Sequence, residues 1–474
     1  MSCNAGKPDS GIALEGSPDV DELPQEEDTA QRPAWVRVRL AVLKSLQQTG
    51  AAYWAMFALM FGIMLFGFGC EAYQYNEGLG VGNFNNPNMW QLYVATFIFW
   101  IGMSHSGTLL SAILHIIHAE WRRPLYRFAE AMTVFSLLTA FIFIFVHVGR
   151  PWELYYGIPY PNERMLWPSW QSPLIWDAMA ILTYFLSSIL FLYIGCIPDF
   201  AICRDNTTGW RARFYAGLAL DWTGTDRQWR NFRMTYLTVA CFLIPLAVSV
   251  HSIVATDFAV SQQPGWHITS FPPYFVAGAL YSGCAAIITL FIILRHVFNF
   301  QEYLTLPILR KTVRLTFAIA MVWTYLNCVE FASVWYSPDQ APKAVLIQKA
   351  TGQYAAFWWA MIFCGSVVPF ALTVRRWQVS IPVMFAVSLL LNFGMWLERW
   401  MIVSPTLAHD YYPWTWSQNQ WPGMYQWGIV AGSFGFFCLM LLIFFKLVPS
   451  VSMHEVIPMV LPERNAAARD EQQP

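Results

Sequence analysis

Ten stretches of roughly 20 apolar residues divide this chain, near positions 50–71, 89–118, 128–148, 174–200, 234–257, 272–299, 313–336, 354–376, 380–402 and 426–448. Each is long enough to cross the hydrocarbon core of a bilayer as a helix. Within hydrocarbon a backbone must satisfy its own hydrogen bonds, so helices are the natural spanning form of such runs. The expected fold is an all-α integral membrane protein of about ten transmembrane helices. Of 474 residues, 56% are apolar and only 12% charged, and a soluble enzyme carries about twice that charged share. A net charge of −1 with no basic block points away from a nucleic-acid partner.

Outside the apolar region, residues 1–34 are polar and acidic and read as a disordered cytoplasmic tail. Residues 35–49, beginning Trp35-Val-Arg-Val-Arg-Leu-Ala-Val-Leu-Lys44, mix apolar and basic side chains as an interfacial amphipathic segment does, with its arginines toward headgroups. A ten-helix domain over 50–450 and a cytoplasmic C-terminal tail over 451–474 complete the expected organisation. Loops at 119–127, 201–233, 300–312 and 375–379 are rich in arginine, Arg122, Arg123, Arg211, Arg230 and Arg376 among them. The alternate loops hold only Arg150, Arg164, Lys343 and Lys349. Basic loops stay on the cytoplasmic side, which places both termini there. The opposite loops carry aromatic runs such as Pro159-Tyr-Pro-Asn162 and Tyr411-Tyr-Pro-Trp-Thr-Trp416. They suit either belt anchoring in the membrane interface or docking of an extracytoplasmic partner.

The nine cysteines are scattered, with no C-x-x-C and no C-x-x-C-H. That spacing offers no cradle for an iron–sulfur cluster and no covalent haem site, so a redox metal is expected in a partner and none in this chain. Ser106-Gly-Thr-Leu-Leu-Ser-Ala-Ile-Leu-His-Ile-Ile117 is echoed by Ser282-Gly-Cys-Ala-Ala-Ile-Ile-Thr-Leu-Phe-Ile-Ile293. Both helices run inward, which suggests parallel repeats of a four-helix bundle, helices 2–5 and 6–9, with one helix at each end of the chain.

Ionisable side chains in or beside hydrocarbon are costly and are default functional candidates. With the orientation above, His147, Arg150, Asp177, His251, Asp257, Glu330, Glu398 and Arg399 all approach the extracytoplasmic face. Arg150 can equally cap a helix C-terminus. Asp257 follows His251 by six residues, so the two share a site only if the helix ends or distorts between them. Glu398 and Arg399 diverge by about 100°, which sends one into the bundle and the other to the interface. A second pattern leads inward: Ser104, Thr108, Ser111, His115 and His118 form one stripe, Tyr184 and Ser188 continue another from Asp177, and His105 lies near mid-membrane. These stripes suit proton conduction, and hydroxyls that bond to their own helix carbonyls give the same pattern.

Trp100-Ile-Gly-Met-Ser-His-Ser-Gly-Thr-Leu-Leu-Ser-Ala-Ile-Leu114, Glu120-Trp-Arg-Arg-Pro124, Arg127-Phe-Ala-Glu-Ala-Met-Thr133, His147-Val-Gly-Arg-Pro-Trp152, Ser172-Pro-Leu-Ile-Trp-Asp177, His251-Ser-Ile-Val-Ala-Thr-Asp257 and Phe271-Pro-Pro-Tyr-Phe-Val-Ala-Gly278 occur in this order. The string resembles the NrfD/polysulfide-reductase membrane-subunit family, and within it the ten-helix subunits ActC and ActF of bacterial alternative complex III. The resemblance implies a quinol:electron-acceptor oxidoreductase that binds menaquinone or ubiquinone without covalent attachment. It also implies a periplasmic iron–sulfur partner, further membrane subunits including a paralogous NrfD-like protein, and multihaem cytochrome c subunits. By the same resemblance His105, Asp177, Asp257 and Arg399 line or border the quinol pocket, with His147 and His251 nearby. The expected catalytic groups are Asp177, His105 and Asp257. The rival expectation is a paralogous proton-translocating or anchoring subunit without a quinone site. A b-type cytochrome would pair His105 with His147 or His251 across a haem, and a transporter would need a helix broken near mid-membrane.

Overall fold

The computed structural model describes residues 33–47, 49–84, 88–157, 173–412, 416 and 421–460, all helix, turn or coil with no strand among them. The expected acidic tail up to residue 32, the Pro159-Tyr-Pro-Asn162 loop with Arg164, part of the second aromatic run and residues 461–474 lie outside the described residues.

Ten helices are long and apolar enough to span a membrane. They are α2 (Ala51–Glu77), α3 (Gln91–Ile116), α4 (Tyr126–Val148), α5 (Pro173–Asp205), α7 (Asp226–Ala259), α8 (Phe271–Val297), α9 (Leu306–Tyr336), α11 (Ala355–Thr373), α12 (Ile381–Leu407) and α13 (Met424–Leu447). Four shorter helices accompany them: α1 (Ala34–Gln47), α6 (Gly209–Leu218), α10 (Gln340–Thr351) and α14 (Met453–Val460).

Several spans outrun their apolar cores. Helix α7 begins eight residues before its apolar run because Thr225 and Gln228 form a capping box: the Thr225 hydroxyl accepts from the Gln228 N–H at 3.4 Å, and Gln228 Oε1 accepts from the Thr225 N–H at 3.2 Å. Helix α2 continues past position 71 to Glu77, so six residues expected in a loop are helical.

Helix α3 is the most deeply buried span, with α8 next. It packs against α4, α8 and α12, and its last turns lie on α7. Helix α5 packs on α4 and α7, while α8 packs on α7, α9 and α12, and α11 lies on α12. Helices α2 and α13, the first and last spans, lie against each other, and α13 in turn touches α3 and α4. Small residues make the α2–α13 approach possible. A Cβ on Gly67 would sit 2.5 Å from the Gly432 Cα, and one on Gly428 would sit 2.5 Å from the Cys70 Sγ. Gly62 and Gly69 meet nothing within 4 Å, so close packing accounts for Gly67 alone among the three glycines of α2.

Helix α1 buries Val38, Val42, Leu43 and Leu46 against α13 and α14 rather than offering them to lipid. Arg37 pairs with Glu302 at 3.1 Å, and the Lys446 ammonium donates to the Ser45 carbonyl at 2.6 Å. The amphipathic segment is thus a clamp across the arginine-rich ends of the spans.

Gly432→Leu places a branched side chain where backbone now sits, and overpacking of this kind costs about 1–3 kcal/mol. The expected result is a clear fall in the melting temperature of the detergent-solubilised protein, whereas Gly62→Leu, in open space, leaves it unchanged.

Candidate functional site

The two repeats suggested by the sequence meet where α3 crosses α8. A Cβ on Gly283 would lie 2.7 Å from the Ser106 Cβ, and one on Gly102 would lie 3.4 Å from the Ser282 Oγ. Ser106 and Gly283 of the sequence echo therefore meet at this crossing, whereas Gly107 faces Thr133 of α4, and the close approach carries polar side chains from α3, α7, α8 and α12 into one buried region.

His105 and His251 touch edge to face with ring centroids 4.3 Å apart. His105 Nε2 faces the Ala247 carbonyl at 2.8 Å and Nδ1 faces the Ile101 carbonyl at 3.0 Å. A neutral imidazole can donate to only one of these, and a protonated ring donates to both. Neither ring nitrogen of the fully buried His251 has a hydrogen-bond partner. Direct contact between these rings leaves no space for a porphyrin, which removes the His105–His251 haem arrangement.

Arg399 lies within electrostatic reach of both imidazoles. Its guanidinium stacks over the Phe275 ring at 4.7 Å and pairs with Glu398 at 3.0 Å through Nε, leaving Nη2 unpartnered. Glu398 and Arg399 are both buried, against the expectation that one meets the interface. Gly278 makes the room: a Cβ there would sit 2.5 Å from Arg399 Nη2.

Asp177 on α5 and Asp257 on α7 are close enough for their charges to interact, and each has a buried Oδ1 without a partner. Helix α7 runs on without a break through Asp257, so His251 faces α3 while Asp257 faces Asp177. At 1.5 Å per residue the acid pair lies about 9 Å along α7 from His251, toward the aromatic end. Glu330 is buried within electrostatic reach of Glu398 and of Lys349, which α10 carries in from the opposite loop. Burial lowers the Lys349 ammonium below the ordinary lysine range, and the two glutamates offset this in part.

Other expected residues stand apart. His147 faces Trp90 and Phe97, with ring centroids 6.5 and 6.2 Å away, and its Nδ1 bonds to its own helix at the Phe143 carbonyl, 2.6 Å away. Arg150 is exposed and pairs with Glu153 at 3.4 Å. His118 is exposed beyond the end of α3 in a left-handed conformation.

The stripe on α3 does not run as a regular helix would carry it. Thr108–Ile113 is a π turn, which adds a residue per turn and rotates everything after it. Thr133 of α4 repairs the backbone there, accepting from the Gly107 N–H at 3.0 Å and donating to the Ser104 carbonyl at 2.5 Å. Ser104 and Ser111 bond to carbonyls of their own helix. Thr108 instead reaches across to the Tyr184 hydroxyl at 2.7 Å, and the buried Ser188 hydroxyl has no partner.

A further polar network occupies the arginine-rich half, and of the residues expected from the sequence only His115 belongs to it. Arg127 and Asp199, both fully buried, pair at 2.7 Å, and Tyr236 donates to Glu130 Oε1 at 2.7 Å. Arg122 donates to His115 Nδ1 at 2.5 Å. Glu130 and Asp199 interrupt apolar runs, and that signal marks them in the sequence. Among the described residues no three His, Cys, Asp or Glu side chains gather as a metal site.

An all-helical, ten-span architecture with its ionisable groups turned inward defines a polytopic membrane protein. Residues 80–409 match the family model for polysulphide reductase, NrfD, and the chain belongs to that family. It is similar to the putative dimethyl sulfoxide reductase membrane subunit of Halobacterium salinarum, 25% identical over 79% of this chain and 80% of that protein. The Hdr-like menaquinol oxidoreductase integral membrane subunit of Archaeoglobus fulgidus is 21% identical over 87% and 98% of the two chains. A selenate reductase subunit of Mesobacillus selenatarsenatis is 22% identical over 79% and 89%. These relatives are subunits of oxidoreductase complexes, consistent with a subunit of a redox enzyme complex.

Arg399→Leu leaves Glu398 as an uncompensated buried charge, which costs roughly 3–5 kcal/mol. Little folded protein is expected by size-exclusion chromatography. The paired change Glu398→Gln with Arg399→Met removes both charges and restores most of the yield, and failure of this rescue would show that the pair is not the source of the loss.

Proposed function

We propose that this chain is the quinol-binding membrane subunit of a respiratory quinol:electron-acceptor oxidoreductase of the alternative complex III type. In this reading it sits in the bacterial inner membrane with both termini cytoplasmic. It passes electrons to a periplasmic iron–sulfur partner, beside a paralogous NrfD-like subunit and multihaem cytochrome c subunits. The observation that carries the reading is the series of buried Asp177 and half-buried Asp257, then buried His251 and His105, then buried Arg399 and Glu398, with partnerless polar atoms at each stage.

A bound menaquinol or ubiquinol would supply two electrons and two protons. The polar groups open to such a head group fall into two sets: Asp177 Oδ1 with Asp257 Oδ1, and, about 9 Å along α7, both His251 nitrogens with Arg399 Nη2, none of which has a protein partner. An acid or imidazole within hydrogen-bond reach of a hydroxyl can take its proton, and Asp177 and His105 are the groups assigned that role. Arg399 polarises the oxygen. His147, set against Trp90 and Phe97 and bonded to its own helix, stays outside this series. His105 can hold a proton between the Ala247 and Ile101 carbonyls, and Tyr184 with Thr108 continues from it toward the arginine-rich half.

The second reading is a proton-translocating or anchoring subunit with no quinone of its own. The buried network around Glu130 favours it, since proton conduction alone would explain acids in both halves. Solvent extraction of the purified complex separates the two, because only the first expects a tightly held quinone.

Asp177→Asn should preserve assembly and lower quinol oxidation by at least about 100-fold, the scale of a lost general base. Turnover equal to the parent complex would remove Asp177 from the chemistry.

A further inference from the structure

One wall of the network in the arginine-rich half is supplied by the C-terminal segment rather than by a spanning helix. After α13 the chain turns back, and Ser450, Val451, Ser452, Met453 and Val456 are buried. Asp199 joins this segment to the bundle. Its Oδ2 accepts from Arg127 at 2.7 Å, while its Oδ1 accepts the backbone N–H groups of Met453 at 3.1 Å and His454 at 3.2 Å and faces His454 Nδ1 at 3.2 Å. A carboxylate at the start of α14 satisfies orphan N–H groups that nothing else in the helix can take. The His454 ring lies against Trp229 and Phe232, with centroids 5.7 and 5.5 Å away.

The next residue reaches the proton-bearing groups. Glu455 pairs with Arg122 at 3.2 Å, and the same guanidinium nitrogen donates to His115. His115 meets the Tyr236 ring edge to face at 5.0 Å, and Tyr236 donates to Glu130. The Glu455 side chain is 18% exposed and Arg122 6%, His115 is half-buried, and Glu130 is buried with its Oε2 unpartnered. Apolar docking of a tail would need Val451, Met453 and Val456 only. It would not need a fully buried carboxylate whose Oδ1 accepts only from that tail.

We propose that Ser450–Val460 is a cap that closes the arginine-rich mouth of the first helical bundle, pinned by Asp199, with Glu455 as the positioning residue that aligns Arg122 on His115. With the cap seated, water meets Glu130 only past Glu455, Arg122, His115 and Tyr236. With the cap released, Glu130 lies open to solvent. The cap itself is independent of the quinol reading, and only its use as a control on proton supply rests on that reading.

The test uses the complete complex with a protease site inserted between Pro449 and Ser450, cut after assembly has been verified. Two readouts apply: hydrogen exchange of the amides at 453–456, and modification of Glu130 by a water-soluble carbodiimide with an amine, followed by mass spectrometry. In the uncut complex slow exchange and little Glu130 modification are expected, and cutting raises modification at least tenfold. Equal modification before and after the segment has left, or free exchange at 453–456 in the uncut complex, overturns the proposal. Should the severed segment stay docked, the charge-neutral pair Asp199→Leu with Arg127→Met removes the pin without stranding a charge. That variant should speed exchange at 453–456 at least tenfold, and unchanged exchange overturns the role of Asp199. The Asp177→Asn result bears on quinol oxidation and leaves this outcome untouched.

Discussion

The crossing of α3 and α8 is the contact on which the rest of the structure depends. Ser106 against Gly283, and Gly102 against Ala279 and Ser282, bring two backbones nearer than larger side chains allow. Lipid tails are as apolar as leucine, so helices in a membrane gain from such contact mainly through dispersion and hydrogen bonding. Closeness here has a second effect. It lets α7 and α12 approach the same point, and His105, His251 and Arg399 meet across three helices. Gly278, one turn from the crossing, completes the arrangement by leaving space for a guanidinium that any Cβ would displace.

Charge inside the bundle is tolerated because it is answered locally. Arg399 has Glu398 and the face of Phe275, Arg127 has Asp199 and the Gly195 carbonyl, and Arg122 has Glu455. Burying such pairs is weak evidence for stability, since desolvation consumes most of the Coulomb gain. Their placement in two separate layers, one near each end of the spans, is better explained by function. Thr108 and Tyr184 lie between the layers and connect to His105, the path that the proposed function would use for a proton.

The polar atoms left without partners are as informative as the pairs. His251, Asn327 and Ser188 are buried and carry unsatisfied nitrogen or oxygen atoms. Unsatisfied groups in a native interior call for water or a ligand. Those of His251 belong to the region assigned to the quinol in the proposed function, Asn327 lies on α9, and Ser188 with Glu130 Oε2 lies elsewhere in the interior.

Sequence alone determined the membrane class, the number of spans and the family, because apolar run length and ordered motifs are local properties of the chain. It also marked Asp177, His105, His251, Asp257 and Arg399, since an ionisable group in an apolar run is conspicuous without a structure. It misjudged partners wherever a helix departed from 100° per residue or a distant segment intervened. The π turn of α3 rotated Ser111 and His118 out of their stripe, and the helix ended before His118. Glu398 and Arg399 both turned inward because Gly278, more than a hundred residues earlier, left the room. Lys349, Asp199 and Glu455 acquired their meaning only from chain segments folded onto them, as when the C-terminal turn set Met453 and His454 on Asp199. Which helices span is decided by transfer free energy residue by residue, whereas which charges meet is decided by packing among helices far apart in the chain.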